Sequence, residues 1–428
     1  MLVPSPCIAG MHAAGMAMHP HYQQEQRQPR PSMHLRGISL EYSYSELAAA
    51  TLNWSASRKL GSGSYGAVYK GELEDGSEVA IKAIDLAALG AQGQGAEMAG
   101  FDEEVQVLSK FRHPNLVTLL GWGKHNMMRY LVYELLAGGD SFQRLQKSKN
   151  PRNGQPFFWY ERLSVLLDAA TGLSHMHNSK EKAFHRDIKS ANILIDRHGT
   201  AKMADFGLSC TSGQGGALHV TVRTISGTPG YACPIYSRTG RVTEGSEVYS
   251  FGMVMLELIT GLAPAAADPQ RPGAIVYHIA DHVMPNKPGA LERTMQKLDP
   301  SAGWPPPLAQ ELATLALRCV HTEDKSRPRF VELVRSTRNM GERFPKPSAP
   351  PPSYPSQAPQ HLAPGQHQAP QQQQQQPPPQ QAHQQPQQAH HQQQQQQAHQ
   401  QPPQQPMLPS PQQQQQHQPP MMQQQPQP

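Results

Sequence analysis

Four polar residues in the middle of the chain, Lys82, Asp187, Asn192 and Asp205, have types and an order that suit phosphoryl transfer. Such a transfer needs the negative charge of the phosphates neutralised and the attacking hydroxyl held in line. Asp205 and Asn192 carry hard oxygen atoms that suit Mg²⁺, which bridges phosphates and offsets their charge. The motifs that carry these residues are Val79-Ala80-Ile81-Lys82, His185-Arg186-Asp187-Ile188-Lys189-Ser190-Ala191-Asn192 and Asp205-Phe206-Gly207.

Lys82 is the candidate for binding the α- and β-phosphates of ATP, and an acid on a neighbouring helix must steer its ammonium group. We choose Glu104 as that acid, with Glu103 as its nearest rival. Glu104 is preferred because Leu108, one turn later, then falls where the helix should face the core.

Asp187 and Lys189 are expected to act on the acceptor and on the transferred group. Asp187 would accept or orient the proton of the attacking hydroxyl. Lys189 would contact the γ-phosphate, as a lysine two residues after the catalytic Asp does in enzymes whose acceptor is Ser or Thr. Taken singly, each residue could be a surface charge or a turn residue. Their joint occurrence in this order makes that interpretation fail.

A glycine-rich turn lies upstream of Lys82, between two strand-like stretches in segment 60–71, and segment 78–84 has the pattern of a third strand. Gly61, Gly63 and Gly66 let the backbone turn tightly and approach phosphate oxygens that a Cβ would hold away. The same spacing occurs in dinucleotide-binding folds, but a helix must follow there, whereas Ala67-Val68-Tyr69 is strand-like. The pattern therefore favours a phosphate loop between strands.

Three helices are predicted around these motifs. Segment 101–111 has apolar residues at helical spacing, after a loop or loosely formed helix start at 83–100. Segment 163–177 is amphipathic and leads into the Asp187 motif. Segment 248–262 is apolar nearly all round, which indicates a helix buried inside a larger, mostly helical lobe.

Composition limits the class of protein. The formal net charge of +5 is not concentrated in a basic run, so nucleic acid is not implied as a partner. The four cysteines have no paired or metal-like spacing, which favours a reducing, intracellular compartment. No stretch approaches the apolar run of about 20 residues that a transmembrane helix needs, so a protein with no transmembrane segment is expected.

The chain resembles the receptor-like and interleukin-receptor-associated (Pelle-type) serine/threonine protein kinases from about residue 42 to about residue 338. The resemblance rests on short motifs in the family's order and spacing. These are Tyr44-Ser45-Glu46-Leu47, Val68-Tyr69-Lys70-Gly71, His113-Pro114-Asn115-Leu116-Val117, Leu131-Val132-Tyr133-Glu134, Gly227-Thr228-Pro229-Gly230-Tyr231 and Val248-Tyr249-Ser250-Phe251-Gly252.

The resemblance implies an α+β, two-lobed protein kinase fold with a small β-rich N-lobe and a larger α-helical C-lobe. It implies a cytoplasmic protein serine/threonine kinase that uses ATP and Mg²⁺ on protein substrates. It also implies Tyr133 as gatekeeper and a hydrophobic column of Leu108, Leu119, His185 and Phe206. The residues expected to bind the nucleotide are Leu60, Gly61, Gly63, Gly66, Val68, Ala80, Lys82, Glu134, Leu136 and Leu194.

Regulation by phosphorylation is expected from Arg186, which precedes Asp187 and supplies a cation that a phosphorylated activation segment can neutralise. Within segment 209–231, Thr224 is the first candidate for that phosphate. Ser226 and Thr221 follow it.

Two residues depart from the family pattern. Ile235 replaces the Glu that usually pairs with a C-lobe arginine, here Arg327, and Glu247 replaces an Asp beneath the catalytic loop. Losing one partner of a buried pair typically costs about 3 to 5 kcal/mol unless another acid or water takes over. A pseudokinase scaffold is therefore kept as an alternative. Tyrosine specificity is a third reading, and Lys189 and the Gly227-Thr228 pair argue against it.

The expected domains are a disordered N-terminal extension at 1–40, a lead-in at 41–54, a kinase domain at 55–341 and a disordered Pro/Gln/His-rich tail at 342–428. Within the tail, Pro351-Pro352-Ser353-Tyr354 fits the pattern of peptides that bind WW domains. The substrate, the upstream activator and the oligomeric state are left open by the sequence.

Overall fold

The computed structural model of the protein describes residues 40–63, 66–91, 100–150, 155–213 and 217–348. The two ends for which disorder is predicted, apart from a few flanking residues, and the motif at 351–354 lie outside the described residues. So do Ser64 and Tyr65 of the glycine-rich turn.

A six-stranded sheet forms the N-terminal part, with the strand order β1-β5-β6-β4-β3-β2. The central strand β4 is rich in β-branched and apolar residues, and Val79 and Ile81 are fully buried in it. Lys82 lies opposite Leu131 of β6 in the antiparallel register. The strands are β1 (Leu40–Glu41), β2 (Lys59–Gly63), β3 (Gly66–Glu72), β4 (Glu78–Asp85), β5 (Leu119–His125) and β6 (Met128–Glu134).

The lead-in segment is part of this sheet, because β1 pairs in parallel with β5 and the Tyr42 N–H donates to the Trp122 carbonyl at 2.8 Å. A Cβ at Gly121 would lie 2.3 Å from the Leu40 carbonyl oxygen, so only glycine permits this approach. Helix α1 (Tyr44–Ala50) follows, opened by a Ser43 capping box.

Helices dominate the C-terminal part, around the buried helix α7 (Glu244–Thr260). Thr243 caps the start of α7, and Gly261 ends it with a φ of 71°. The remaining strands are short: β7 (Ala183–Phe184), β8 (Ile193–Ile195), β9 (Ala201–Met203), β10 (Cys210–Thr211), β11 (His219–Thr221), β12 (Arg241–Thr243), β13 (Ala266–Ala267) and β14 (Ile275–Val276). The other helices are α2 (Leu86–Ala91), α3 (Phe101–Lys110), α4 (Ser141–Ser148), α5 (Trp159–Asn178), α6 (Pro234–Thr239), α8 (His278–His282), α9 (Ala290–Gln296), α10 (Pro306–Cys319) and α11 (Phe330–Arg343).

The predicted fold class, with a β-rich lobe and a helical lobe, is confirmed. The helix predicted at 163–177 is longer, as α5, and the helix predicted at 248–262 begins earlier, as α7. In segment 83–100, β4 runs on to Asp85 and the short helix α2 follows it. Within the described ranges, no helix is both long and apolar enough to cross a membrane.

Candidate active site

Lys82 forms two ion pairs that join three separate elements. Its Nζ lies 3.0 Å from Oε2 of Glu104 on α3 and 2.6 Å from Oδ1 of Asp205, which follows β9. Glu104 is fully buried, and its Oε1 accepts the backbone N–H of Phe206 at 3.0 Å. The sheet, helix α3 and the Asp205 motif are thus connected through one lysine.

The charge state of this cluster follows from its contacts. Burial by itself would lower the pKa of Lys82, but the charges of Asp205 and Glu104 outweigh burial and raise that pKa above its usual value. Burial opposes ionisation of Asp205, yet Lys82 holds the pKa of Asp205 below its usual value. Burial, then the charge of Glu104, raises the pKa of Tyr133 well above 10. The lysine is therefore a cation and Asp205 an anion at neutral pH.

Helix α3 separates the two glutamates that were candidates for contact with Lys82. Glu104 lies on the buried face with Val105 and Leu108, whereas Glu103 is exposed. The geometry pairs Lys82 with Glu104, the residue that the sequence favours.

The Asp187 carboxylate is held by three neighbours. Its Oδ1 accepts the Thr228 hydroxyl at 2.7 Å, and its Oδ2 accepts Lys189 Nζ at 2.7 Å and Asn192 Nδ2 at 3.2 Å. Lys189 Nζ also donates to the Thr228 hydroxyl at 3.0 Å. Thr228 is a site residue that the sequence reasoning did not assign, although the Gly227-Thr228 motif was used against tyrosine specificity.

Asn192 and Asp205 are the two candidate ligands for Mg²⁺. The Asn192 amide N–H groups are used on Asp187, which leaves its Oδ1 as the ligand atom, while the Asp205 side chain is 38% exposed. Among the described residues, no group of three or more His, Cys, Asp or Glu is arranged to hold a metal. Two oxygen donors of this kind fit Mg²⁺, which usually takes one or two protein ligands and completes its shell with phosphates and water.

The predicted nucleotide-binding residues lie on β2, β3, β4, β8 and the end of β6, except Leu136, which follows β6 by two residues. Val68, Ala80, Leu136 and Leu194 are half-buried, as expected for the walls of a cleft, and Leu60 is 52% exposed. The Glu134 side chain is engaged within the protein: it accepts the Thr118 N–H at 2.8 Å and pairs with Lys202 at 2.8 Å.

Gly66 has a packing reason to be glycine, since a Cβ there would lie 1.9 Å from the Ala83 carbonyl oxygen. A Cβ at Gly61 would meet nothing within 4 Å, so Gly61 borders open space. Gly63 ends β2, just before the part of the turn that is not described.

The predicted hydrophobic column is buried throughout. Leu108, Leu119, His185 and Phe206 are at most 4% exposed, and the His185 and Phe206 ring centroids are 4.6 Å apart.

Arg186 has a φ of 68°, and its guanidinium group donates to backbone carbonyls near and within the activation segment. Its Nη2 donates to the Thr224 carbonyl at 2.8 Å, and its Nη1 donates to the Leu208 carbonyl at 2.9 Å. The structure thus brings Arg186 and Thr224 together, with the Thr224 residue exposed.

The two departures from the family pattern have local partners. Glu247 is buried, accepts the Arg186 N–H at 2.6 Å and pairs with His177 Nε2 at 2.8 Å. Ile235 is half-buried and packs on a cluster that includes Phe184 and Tyr236. Arg327 contacts Asp324 at 3.2 Å, a carboxylate that sequence reasoning did not identify.

Comparisons with known proteins identify a family and several relatives. The protein kinase domain family matches residues 54–337. The putative serine/threonine-protein kinase-like protein CCR3 of Arabidopsis thaliana is 35% identical over 308 residues, which are 69% of this chain and 38% of that relative. The chain therefore spans well under half of that relative's length.

Two shorter relatives are covered more fully. The probable serine/threonine-protein kinase PBL2 of Arabidopsis thaliana is 34% identical over 322 residues, which are 72% of each chain. The receptor-like cytoplasmic kinase 176 of Oryza sativa subsp. japonica is 35% identical over 306 residues, which are 68% of this chain and 74% of that relative.

Proposed function

Because the chain belongs to the protein kinase family and is a serine/threonine protein kinase, we propose that it transfers the γ-phosphoryl group of ATP to Ser and Thr hydroxyls of protein substrates. The predicted resemblance to receptor-like serine/threonine kinases is confirmed by the relatives. The pseudokinase alternative receives no support from them. We take 55–341 as the kinase domain.

The observation that carries this proposal is the position of the Asp187 carboxylate between Thr228 and Lys189. An acceptor hydroxyl that replaces the Thr228 hydroxyl on Oδ1 would be oriented by a carboxylate and could pass its proton to it. Lys189 lies on the other carboxylate oxygen, from which its ammonium group can reach a γ-phosphate. This arrangement suits an aliphatic hydroxyl as acceptor.

Lys82 would bind the α- and β-phosphates, and Glu104 would hold its ammonium group in position. Asp205 and Asn192 would hold Mg²⁺, which when bound neutralises charge on the phosphates. Val68, Ala80 and Leu194 would enclose the adenine, and the backbone of Glu134 and Leu136 would bind its edge. Gly61, Gly63 and Gly66 would let the backbone approach the phosphates, with Leu60 at the rim.

Regulation by activation-segment phosphorylation is supported by the contact between Arg186 and the Thr224 carbonyl. A phosphate on Thr224 would lie near a guanidinium group, which binds phosphate oxygens well because its N–H donors form a planar fork. Ser226 and Thr221 remain the next candidates.

The cytoplasm is the proposed location, by analogy with the receptor-like cytoplasmic kinase of rice. Protein substrates are the proposed partners. A WW-domain partner for the motif at Tyr354 receives no support from the comparisons.

The test is a transfer assay on the full chain with labelled ATP and Mg²⁺, followed by identification of the labelled residue types. Asp187→Asn keeps the shape of the side chain and removes its charge. We expect this variant to bind nucleotide but to label acceptors about 100-fold or more slowly, because it lacks the general base and the charge-assisted hydrogen bonds of the carboxylate. Asp196→Asn, at an acid in the turn after β8, is the control. Folded wild-type protein that neither binds nucleotide nor labels any acceptor would overturn the proposal.

A further inference from the structure

Arg327 places a guanidinium group in the interior of the C-terminal part, where its side chain is only 1% exposed. A buried charge is stable only when it is paired and its donors are satisfied. Nη1 of Arg327 donates to Cys233 Sγ at 3.2 Å and to the Gly245 carbonyl at 2.9 Å, and its guanidinium carbon lies 5.1 Å from the Tyr249 ring centroid. These contacts join the end of the activation segment to helix α7.

Asp324 supplies the countercharge. It is the only described residue whose carboxylate forms an ion pair with Arg327, at 3.2 Å. The Thr243 hydroxyl, which caps α7, donates to both oxygens of Asp324 at 3.2 and 3.3 Å. Asp324 is therefore fixed at the start of α7 rather than free in solvent.

The backbone of α7 leaves space for this carboxylate. A Cβ at Gly245 would lie 2.0 Å from Asp324 Oδ1 and 2.7 Å from its Cγ. Any other residue at 245 would push the carboxylate away from Arg327. Gly245 and Asp324 thus form a matched pair, on elements far apart in sequence.

We propose that Asp324 is a positioning residue for the phosphoryl transfer assigned above, acting through Arg327 on Cys233 and the activation segment before it. Cys233 caps helix α6 only two residues after Tyr231. The same loop contains Thr228, which bonds the Asp187 carboxylate. The Asp324–Arg327 pair holds the far end of this loop. The kinetic tests of this inference rest on the proposed function.

The location of the pair predicts which kinetic constant responds. Tyr249, under the guanidinium group, and Pro234, next to Cys233, line a cavity of about 500 Å³. Gly227 and Pro229, on either side of Thr228, line the same cavity. Because this cavity adjoins the acceptor side of the site, loss of the pair should weaken use of the protein substrate more than use of ATP.

The first test compares Asp324→Asn with Glu323→Gln, which removes the charge of an exposed neighbouring acid that does not contact Arg327. We expect Asp324→Asn to lower kcat/KM for a protein substrate about tenfold, the effect of losing roughly 1.4 kcal/mol, with the KM for ATP unchanged within about twofold. Glu323→Gln should match the wild type. An Asp324→Asn protein that behaves like Glu323→Gln, or that loses ATP and protein substrate equally, would overturn the proposal.

A rescue variant separates positioning from general damage. Ile235, on α6, stands where the family pattern has the Glu that pairs with this arginine, so we expect the carboxylate of Ile235→Glu to take over the pairing with Arg327. We expect Ile235→Glu combined with Asp324→Asn to regain most of the lost kcat/KM. A double variant no better than Asp324→Asn alone would contradict the role of the ion pair.

Gly245→Ala gives a second route that leaves every charge in place. Alanine in a helix normally stabilises a protein relative to glycine. Here we expect the opposite sign, with a lower melting temperature and the same kinetic loss as Asp324→Asn. A Gly245→Ala protein that is more stable and fully active would refute the inference, even if Asp324→Asn fails to fold.

The rate of alkylation of Cys233 does not depend on catalysis, so it distinguishes failure of this inference from failure of the proposed function. Cys233 is 1% exposed beneath Arg327, so its thiol should react slowly with iodoacetamide in folded protein. We expect mass spectrometry to show at least about fivefold faster labelling of Cys233 in Asp324→Asn, since the local opening that admits the reagent becomes easier, and slow labelling again in the double variant. Equal labelling in all three proteins would count against Asp324 whether or not the wild type is active.

Discussion

Glu247 of helix α7 accepts the backbone N–H of Arg186 at 2.6 Å, so the catalytic loop is held from below by a buried carboxylate. The second oxygen of Glu247 bonds His177 Nε2 at 2.8 Å. The additional methylene of Glu, compared with the Asp usual in the family, is therefore accommodated by a histidine at the end of α5.

Glu247→Gln should destabilise the protein at neutral pH and matter less in acid. Burial opposes the charge of Glu247, but the hydrogen bond and charge of His177 hold its pKa below the ordinary 4.5. A lowered folded-state pKa gives stability that is present above 4.5 and is lost as the pH falls through the folded-state value. Melting temperatures of both proteins, measured downward from pH 7, should converge below about pH 4.5. Glu342→Gln, at an exposed acid on α11, should show no such convergence.

Glu104→Gln should lower kcat/KM because Lys82 loses one of its two carboxylate partners. A hydrogen bond to a charged group is worth about 1.5–3 kcal/mol, so we expect a loss of roughly 10- to 100-fold. Glu103→Gln changes the exposed neighbour on the same helix turn and should stay within about twofold of the wild type. Equal effects of the two substitutions, in steady-state kinetics with varied ATP, would contradict the pairing of Lys82 with Glu104.

Glu257→Gln should stabilise the protein in mild alkali and not in mild acid. Burial raises the pKa of Glu257 to about 7, even though the Tyr231 hydroxyl donates to Oε2 at 2.7 Å. A raised pKa means that the native state loses stability as the pH rises from 4.5 through 7, by roughly 3 kcal/mol in total. Gln is neutral throughout, so the melting temperature of the variant should exceed that of the wild type at pH 8 but not at pH 5. Glu292→Gln, an exposed change, should give no crossover.

Thr224→Ala should lower turnover several-fold, because the variant cannot carry the phosphate that we propose neutralises Arg186. Such a phosphate can form about 1–3 charge-assisted hydrogen bonds with the guanidinium group. Phosphatase treatment should slow the wild type to the rate of the variant and leave the variant unchanged. Thr239→Ala removes an exposed hydroxyl on α6 and serves as the control. Unchanged turnover of Thr224→Ala would remove Thr224 as the regulatory site.

Local pattern was enough to predict the elements whose residues repeat at a regular period. The apolar spacing of Val105 and Leu108 predicts the phase of α3 and hence which glutamate faces Lys82. The apolar character of 248–262 predicts a buried helix, but not its start at Glu244, which depends on the Thr243 cap. Helix ends are set by capping contacts, which periodicity does not contain.

Contacts between distant segments could not be predicted in the same way. Asp324 and Arg327 are neighbours in sequence, but their significance depends on Cys233 and Gly245, which reach them only in the folded chain. Thr228 is similar, because its hydroxyl meets Asp187 across the activation segment. The periodicity of one sequence does not encode such contacts. The only signal in the sequence was Ile235, which stands in place of an acid and so suggests a lost interaction.

The pairing of Leu40–Glu41 with β5 has a practical consequence for work on this protein. The family match begins at residue 54, after this strand and helix α1. A protein trimmed to that start would leave β5 at the border of the sheet with unpaired N–H and C=O groups, which recruit strands from other molecules. Trimmed preparations would thus tend to aggregate for reasons unrelated to catalysis. A shortened protein that starts at or before Leu40 would keep β5 paired.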